Sequence, residues 1–146
     1  MKLNTQGRYA VMSCVDLVQW GPQPVTLKDI AERQSISLPY LEQLFAKLRR
    51  AGLVDSTRGP GGGYQLSQPP EKTIIADIIT AVDEPITITR CHSGQGCMKE
   101  NAKCLTHDLW EALGANIYNF LATVTLSDVC DKRLTPTTPQ KHVRVS

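Results

Sequence analysis

The sequence predicts a mainly α-helical chain with one small β-hairpin, and three observations carry that expectation. Apolar residues recur at helical spacing in separate stretches, at residues 10–18, 38–48, 75–82 and 105–124. One glycine-rich run, Arg58-Gly59-Pro60-Gly61-Gly62-Gly63, lies between two short β-prone segments. Three of the five cysteines fall between residues 91 and 104, ahead of the longest periodic run, and His107 follows them.

The first helix is expected from residue 7 to 20, where Ala10, Val11, Cys14, Val15 and Val18 form an apolar stripe and Asp16 and Gln19 fall off it. Cys14 lies in that stripe and reads as a small buried hydrophobe. Gly21-Pro22-Gln23-Pro24 ends the helix. Thr26-Leu27-Lys28-Asp29 has the capping-box form and starts a short second helix that reaches about Gln34. Ser35-Ile36-Ser37 makes a turn. Ser37 can cap a third helix, whose first turn tolerates Pro39 because the nitrogen there has no intrahelical partner. Leu38, Leu41, Leu44, Phe45 and Leu48 mark its apolar face, and Tyr40, Gln43, Lys47 and Arg50 fall on the other.

A short helix, a tight turn and a helix with a basic outer face match a helix-turn-helix, in which the second helix enters the major groove of DNA. A merely solvated face would look the same, so the segment behind it matters. Residues 53–57 read as a strand, 58–63 as an open turn and Tyr64-Gln65-Leu66 as the returning strand, which makes a wing. Arg58 at its tip, beside Gly59, can reach a phosphate or a minor groove without a steric barrier. The plain alternative is a surface loop. Residues 67–72 are a linker, Ile75, Ile78, Ile79 and Val82 give a short fourth helix, and Asp83-Glu84-Pro85 stops it. Residues 1–82 are therefore expected to form a winged helix-turn-helix domain.

Leu105, Leu109, Ala112, Leu113, Ile117, Phe120, Leu121 and Val124 mark the longest helix. No remaining part of the chain is large enough to cover it, so pairing with a second copy in a homodimer is expected. Thr125-Leu126-Ser127-Asp128, another capping-box form, starts a short final helix containing Cys130, read as a packed or exposed thiol and not a ligand. Residues 105–130 are thus a dimerisation helix with a short terminal helix. Residues 131–146, rich in Pro, Thr, Gln, Lys and Arg, are an expected disordered tail.

Residues 83–104 form the loop that carries the chemistry. Cys91, Cys97 and Cys104 are spaced Cys-x5-Cys-x6-Cys, and His107 completes a Cys-x2-His ending. Thiolates with an imidazole suit zinc or an iron-sulfur cluster. The wide intervals, with Gly94 and Gly96 in the first, favour something larger than one ion, because zinc sites usually present tight Cys-x2-Cys pairs. Disulfides or inert thiols are the alternatives; an odd cysteine count and no secretory leader argue against disulfides.

At 146 residues the chain can bury a core without staples. Its net charge of +2 is unevenly placed: residues 1–66 carry eight Lys/Arg against five acids, and the remainder eight against nine. The basic side is the amino-terminal one. No run is long enough to span a bilayer, so a cytoplasmic protein in a thiol-reducing compartment is expected. No catalytic constellation or nucleotide loop accompanies the cysteines, which argues against an enzyme.

Gly7-Arg8-Tyr9-Ala10-Val11, Ser37-Leu38-Pro39-Tyr40-Leu41-Glu42-Gln43-Leu44-Phe45, Arg58-Gly59-Pro60-Gly61-Gly62-Gly63-Tyr64 and Cys104-Leu105-Thr106-His107 together resemble the Rrf-type winged-helix regulators, over residues 1 to about 130. The resemblance implies a homodimer that binds double-stranded DNA at promoter operators. It also implies a 2Fe-2S cluster held by Cys91, Cys97, Cys104 and His107, cluster status as the signal, and iron-sulfur cluster assembly genes as targets. Cluster donor proteins are further implied partners. Tyr40, Gln43 and Arg58 match positions that contact DNA in the family, and Ser37, Pro39, Glu42, Lys47, Arg50 and Gly59 complete the candidate set. Glu42 can accept from a cytosine amino group, although a solvated helical face explains it equally. Two departures stand out: six residues separate Cys97 from Cys104 where five are expected, and Pro39 replaces a small polar residue. Other readings are a nitric-oxide or redox sensor of the same family, an iron-sulfur electron carrier, and a zinc-stabilised DNA-binding module.

Overall fold

A buried carboxylate sets the attitude of the first helix. In the computed structural model, which describes residues 5–82 and 98–136, α1 (Thr5–Trp20) buries Gly7, Ala10, Ser13, Cys14, Asp16 and Leu17. The expected stripe is therefore rotated: Val11, Val15 and Val18 are only partly covered, and Asp16 lies inside the protein instead of off its apolar face. It can do so because α2 (Leu27–Gln34) meets it with matching donors. Arg33 Nη2 and Nε donate to the two Asp16 oxygens at 2.7 and 3.0 Å, and Gln34 Nε2 adds a third bond of 2.9 Å. The Trp20 ring lies 4.4 Å from the guanidinium carbon and covers its face. Burial pushes the Asp16 carboxyl up, but the Arg33 and Gln34 hydrogen bonds and the Arg33 charge outweigh it, leaving it below the usual carboxylate range.

Local signals start the next two helices. Thr26 Oγ1 accepts from the Asp29 N–H at 3.1 Å, and α2 ends at Ser35 in the left-handed conformation, φ 54°. Ser37 caps α3 (Leu38–Arg50), with Pro39 in its first turn. Leu41, Leu44, Phe45 and Leu48 are buried. Leu38, expected on that face, is exposed at the first position of α3.

β1 (Val54–Thr57) and β2 (Gly63–Leu66) pair antiparallel, Val54 opposite Leu66 and Thr57 opposite Gly63. Val25 joins them through reciprocal bonds with Tyr64 of 2.8 and 2.7 Å. That approach requires glycine next door: a Cβ on Gly63, whose φ is 152°, would stand 2.5 Å from the Val25 carbonyl oxygen. Phe45 meets the Tyr64 ring edge-on, centroids 4.9 Å apart, which ties α3 to the wing and adds about 0.5–1.5 kcal/mol beyond burial.

A single 3-10 turn (Pro70–Lys72) leads to α4 (Ile75–Ala81), which buries Ile75, Ala76, Ile78 and Ile79 and packs on α1. The carboxy-terminal part is α5 (His107–Thr123) followed by α6 (Leu126–Cys130). It is clasped to the winged domain by two backbone bonds, Ile75 N–H to Val124 O at 3.0 Å and Leu126 N–H to Thr73 O at 2.8 Å. The Thr125–Asp128 capping box is complete, and Leu126 enters the common core. Asp131, Lys132 and Arg133, which sequence places in a disordered tail, are tied to α6: Arg133 N–H donates to the Asp128 carbonyl, and its guanidinium reaches the Asp131 and Asp128 carboxylates at 2.6 and 3.3 Å. Residues 137–146 lie outside the described residues.

α5 is unlike the other helices. Of its residues only His107 is buried, while Leu109, Trp110, Tyr118 and Phe120 are exposed. The expected stripe is shorter at both ends: Leu105 precedes the helix and is fully exposed, and Val124 follows it and joins the core. No helix among the described residues is long and apolar enough to cross a membrane.

The Asp16–Arg33 pair makes the first measurable claim. Removing one member of a buried pair leaves an uncompensated charge, and we expect Arg33→Ala to cost about 3 kcal/mol in urea unfolding at pH 7. Because the folded carboxyl sits below its unfolded value, its contribution is complete above about pH 3.9 and is lost as pH falls through the folded value. The stability difference between wild type and Asp16→Asn is then largest near neutrality and shrinks below about pH 4. A difference that does not change with pH would exclude the carboxylate as its source.

Candidate functional site

The outer side of α3 presents Pro39, Glu42, Gln43, Ala46, Arg49 and Arg50, all exposed. With 3.6 residues per turn and Leu41, Leu44, Phe45 and Leu48 directed inward, the positions opposite the core are Pro39, Gln43, Ala46 and Arg50. Tyr40 and Lys47, which sequence places on this face, lie instead on its flank and are half-buried. Tyr40 is held there by the edge of Tyr9, ring centroids 5.8 Å apart. The Ser37 hydroxyl accepts from the Tyr40 N–H at 3.4 Å and is thereby engaged in the cap. Sequence reasoning missed Ala46 and Arg49, because it searched for polar contacts on one assumed face. The signal for Ala46 was its place in the 39, 43, 46, 50 series, where a methyl group lets the helix backbone approach base edges or meet a thymine methyl.

The wing tip stands apart from this helix. Arg58, Gly59, Pro60 and Gly61 are exposed, and the turn closes with Gly62 N–H donating to the Gly59 carbonyl at 2.9 Å. Gly59 has φ 91°, a conformation that keeps the tip narrow beside Arg58.

Of the expected metal ligands, Cys104 and His107 are described, whereas Cys91 and Cys97 lie outside the described residues. The turn between the first two is closed by His107 N–H donating to the Cys104 carbonyl at 3.1 Å, so one turn delivers both a thiol and an imidazole to the start of α5. Cys104 is half-buried, with Sγ 3.5 Å from Thr106 Oγ1. A hydroxyl against sulfur is the kind of outer contact that tunes a thiolate ligand. This donor pair fits an iron-sulfur cluster and fits zinc equally.

Around the imidazole the structure adds residues that sequence did not single out. His107 is buried and its Nε2 lies 3.5 Å from Glu111 Oε2. Asp108 completes a group whose ligand atoms all lie within 4.8 Å of one another. The available signal was the four-residue spacing from His107 to Glu111, which stacks two side chains on one helical face.

The other described thiols are not ligand-like. Cys14 is fully buried in the core, and burial pushes its thiol up to about 12, far from the thiolate form that binds metals. Cys130 is half-buried on α6, its thiol raised by burial and by the neighbouring Asp131 charge.

Residues 3–132 match the family model described as Rrf2, iron-dependent transcriptional regulator. The chain is 49% identical over 130 residues to the HTH-type transcriptional regulator IscR of Aliivibrio salmonicida, covering 88% of this chain and 77% of that one. The solved structure of T. potens IscR aligns with a TM-score of 0.74 at 37% identity over 94% of both chains. That of CymR, the global cysteine regulator of B. subtilis, aligns with a TM-score of 0.75 at 33% identity, covering 90% of this chain and 98% of that one. These relatives are named as regulators and not as enzymes.

Proposed function

The chain belongs to the Rrf2 family of transcriptional regulators, and from that premise we propose that it is a homodimeric DNA-binding protein whose activity follows the state of a 2Fe-2S cluster. One observation carries the reading. Cys104 and His107 share the turn that launches α5, and α5 has an uncovered apolar side in the single chain. Ligand bonds at that turn would fix the helix through which two copies meet.

In this reading Cys91, Cys97, Cys104 and His107 hold the cluster, which when bound supplies a centre sensitive to iron supply and oxidation. A protonated imidazole cannot ligate, so histidine in place of a fourth cysteine makes the site more labile. Leu109, Trp110, Tyr118 and Phe120 pack against a second subunit. The dimer then presents two α3 helices, and its geometry sets the separation of operator half-sites. Gln43, Ala46 and Arg50 meet the major groove, Arg58 and Gly59 follow the backbone beside it, and Ser37, Pro39, Tyr40, Glu42 and Lys47 border the contact. The targets are operators of iron-sulfur cluster assembly genes in the cytoplasm, and cluster donor proteins supply the cluster.

Three measurements test this reading. Protein purified without oxygen is expected to be coloured, with iron and acid-labile sulfide in equal amounts, and His107→Ala to change the visible spectrum and shorten cluster lifetime; colourless or zinc-only protein would sink the cluster. In DNA titrations, Arg58→Ala is expected to weaken all sequences alike and flatten the log K against log salt slope by about 0.9. Gln43→Ala is expected to cost about 1–3 kcal/mol on the preferred operator only; equal loss on random DNA would remove Gln43 from base reading. Phe120→Glu is expected to weaken self-association by about 2 kcal/mol or more in sedimentation equilibrium, and an unchanged dimer would move the interface elsewhere.

A further inference from the structure

We infer that His107, Asp108 and Glu111 form a nitrogen-oxygen site for a single divalent cation, occupied when the cluster is absent. The imidazole is the fixed member: its side chain is 9% exposed and it occupies the first position of a long helix. Glu111 is four residues on, which places its carboxylate over the same face. Their separation of 3.5 Å is long for an N–H···O hydrogen bond, whose usual range ends at about 3.2 Å. It matches the edge of a tetrahedron with metal-ligand bonds of about 2.1 Å, which is about 3.4 Å. Asp108 brings a third ligand atom into the group, within 4.8 Å of the other two.

The donor set decides the class of ion. One imidazole and two carboxylates suit a borderline divalent ion such as ferrous iron, manganese, cobalt or zinc, with water in the remaining positions, and none of the three is a soft thiolate. The cation and the cluster would draw on the same imidazole, so only one can occupy it. That exclusivity rests on the cluster reading above, whereas the cation site itself does not. Its effect is to make the cluster-free protein a distinct metal-bound state whose lifetime depends on free divalent metal.

The test uses the full chain, freed of cluster without oxygen, and Co2+ as the probe, followed by visible absorption and calorimetry. A variant with Cys91, Cys97 and Cys104 all replaced by Ser is expected to bind Co2+ with ligand-field bands alone. Adding Glu111→Gln to it is expected to remove the binding while leaving the helical circular dichroism unchanged. Wild-type protein freed of cluster, with its thiols blocked by alkylation, gives a second readout that does not depend on how the triple variant folds: the same bands, lost in Glu111→Gln. Binding that needs the cysteines, or survives Glu111→Gln, overturns the inference. The cluster reading is scored separately, by iron and sulfide in reconstituted wild type. Cluster-loaded protein is expected to take up no Co2+ at this site, and equal uptake would overturn the shared imidazole.

Discussion

Much of this molecule depends on how a carboxylate can be kept out of water. Asp16 lies in the middle of α1 with no exposure, a placement that would cost several kcal/mol without compensation. The compensation is specific in direction: a guanidinium whose two donors match its two oxygens, an amide beside it, and an indole over the open face. Because Arg33 and Gln34 end α2, satisfying Asp16 fixes where α2 stops and where the turn into α3 begins. The attitude of α3 is therefore tied to an ion pair remote from its outer face.

Two backbone junctions extend this control outward. Val25 and Tyr64 join the loop before α2 to the wing, and Phe45 presses on the same tyrosine from α3. The wing and α3 thus share one aromatic anchor and hold a common geometry. At the other end, Thr73 and Ile75 pair with Val124 and Leu126, so the segment after α5 is stitched to the winged domain and α6 enters the same core. The carboxy-terminal helices are not a loosely tethered appendage.

What could be read from sequence was what local chemistry decides. Thr26, Ser37 and Thr125 announce helix starts through their own hydroxyls, and the wing follows from a glycine run between β-prone segments. The burial of Asp16 was hidden because its partner is 17 positions away, and an acid in an amphipathic helix defaults to the solvent side. The need for glycine at Gly63 comes from the Val25 carbonyl, which no neighbour in sequence reveals. In the candidate site, the Cys104–His107 turn was legible from its tight spacing. The flank position of Tyr40 was not, since it depends on Tyr9 of another helix. Asp108 and Glu111 were passed over because carboxylates on an exposed helix carry no signal until a buried imidazole is seen among them.

The clasp at Thr73–Ile75 and Val124–Leu126 also has a mechanical meaning. α5 runs 17 residues from His107 to Thr123, about 25 Å at 1.5 Å per residue, and it is pinned to the domain beyond its carboxy-terminal end. The Cys104–His107 turn lies at its opposite end, where His107 is its one buried residue. A tilt of about 10° at the pinned end would sweep that turn through about 4 Å, given a helical rise of 1.5 Å per residue. Conversely, a force at the turn acts on the Thr73–Val124 joint with the full arm of the helix, so a small displacement there becomes a rotation against the winged domain.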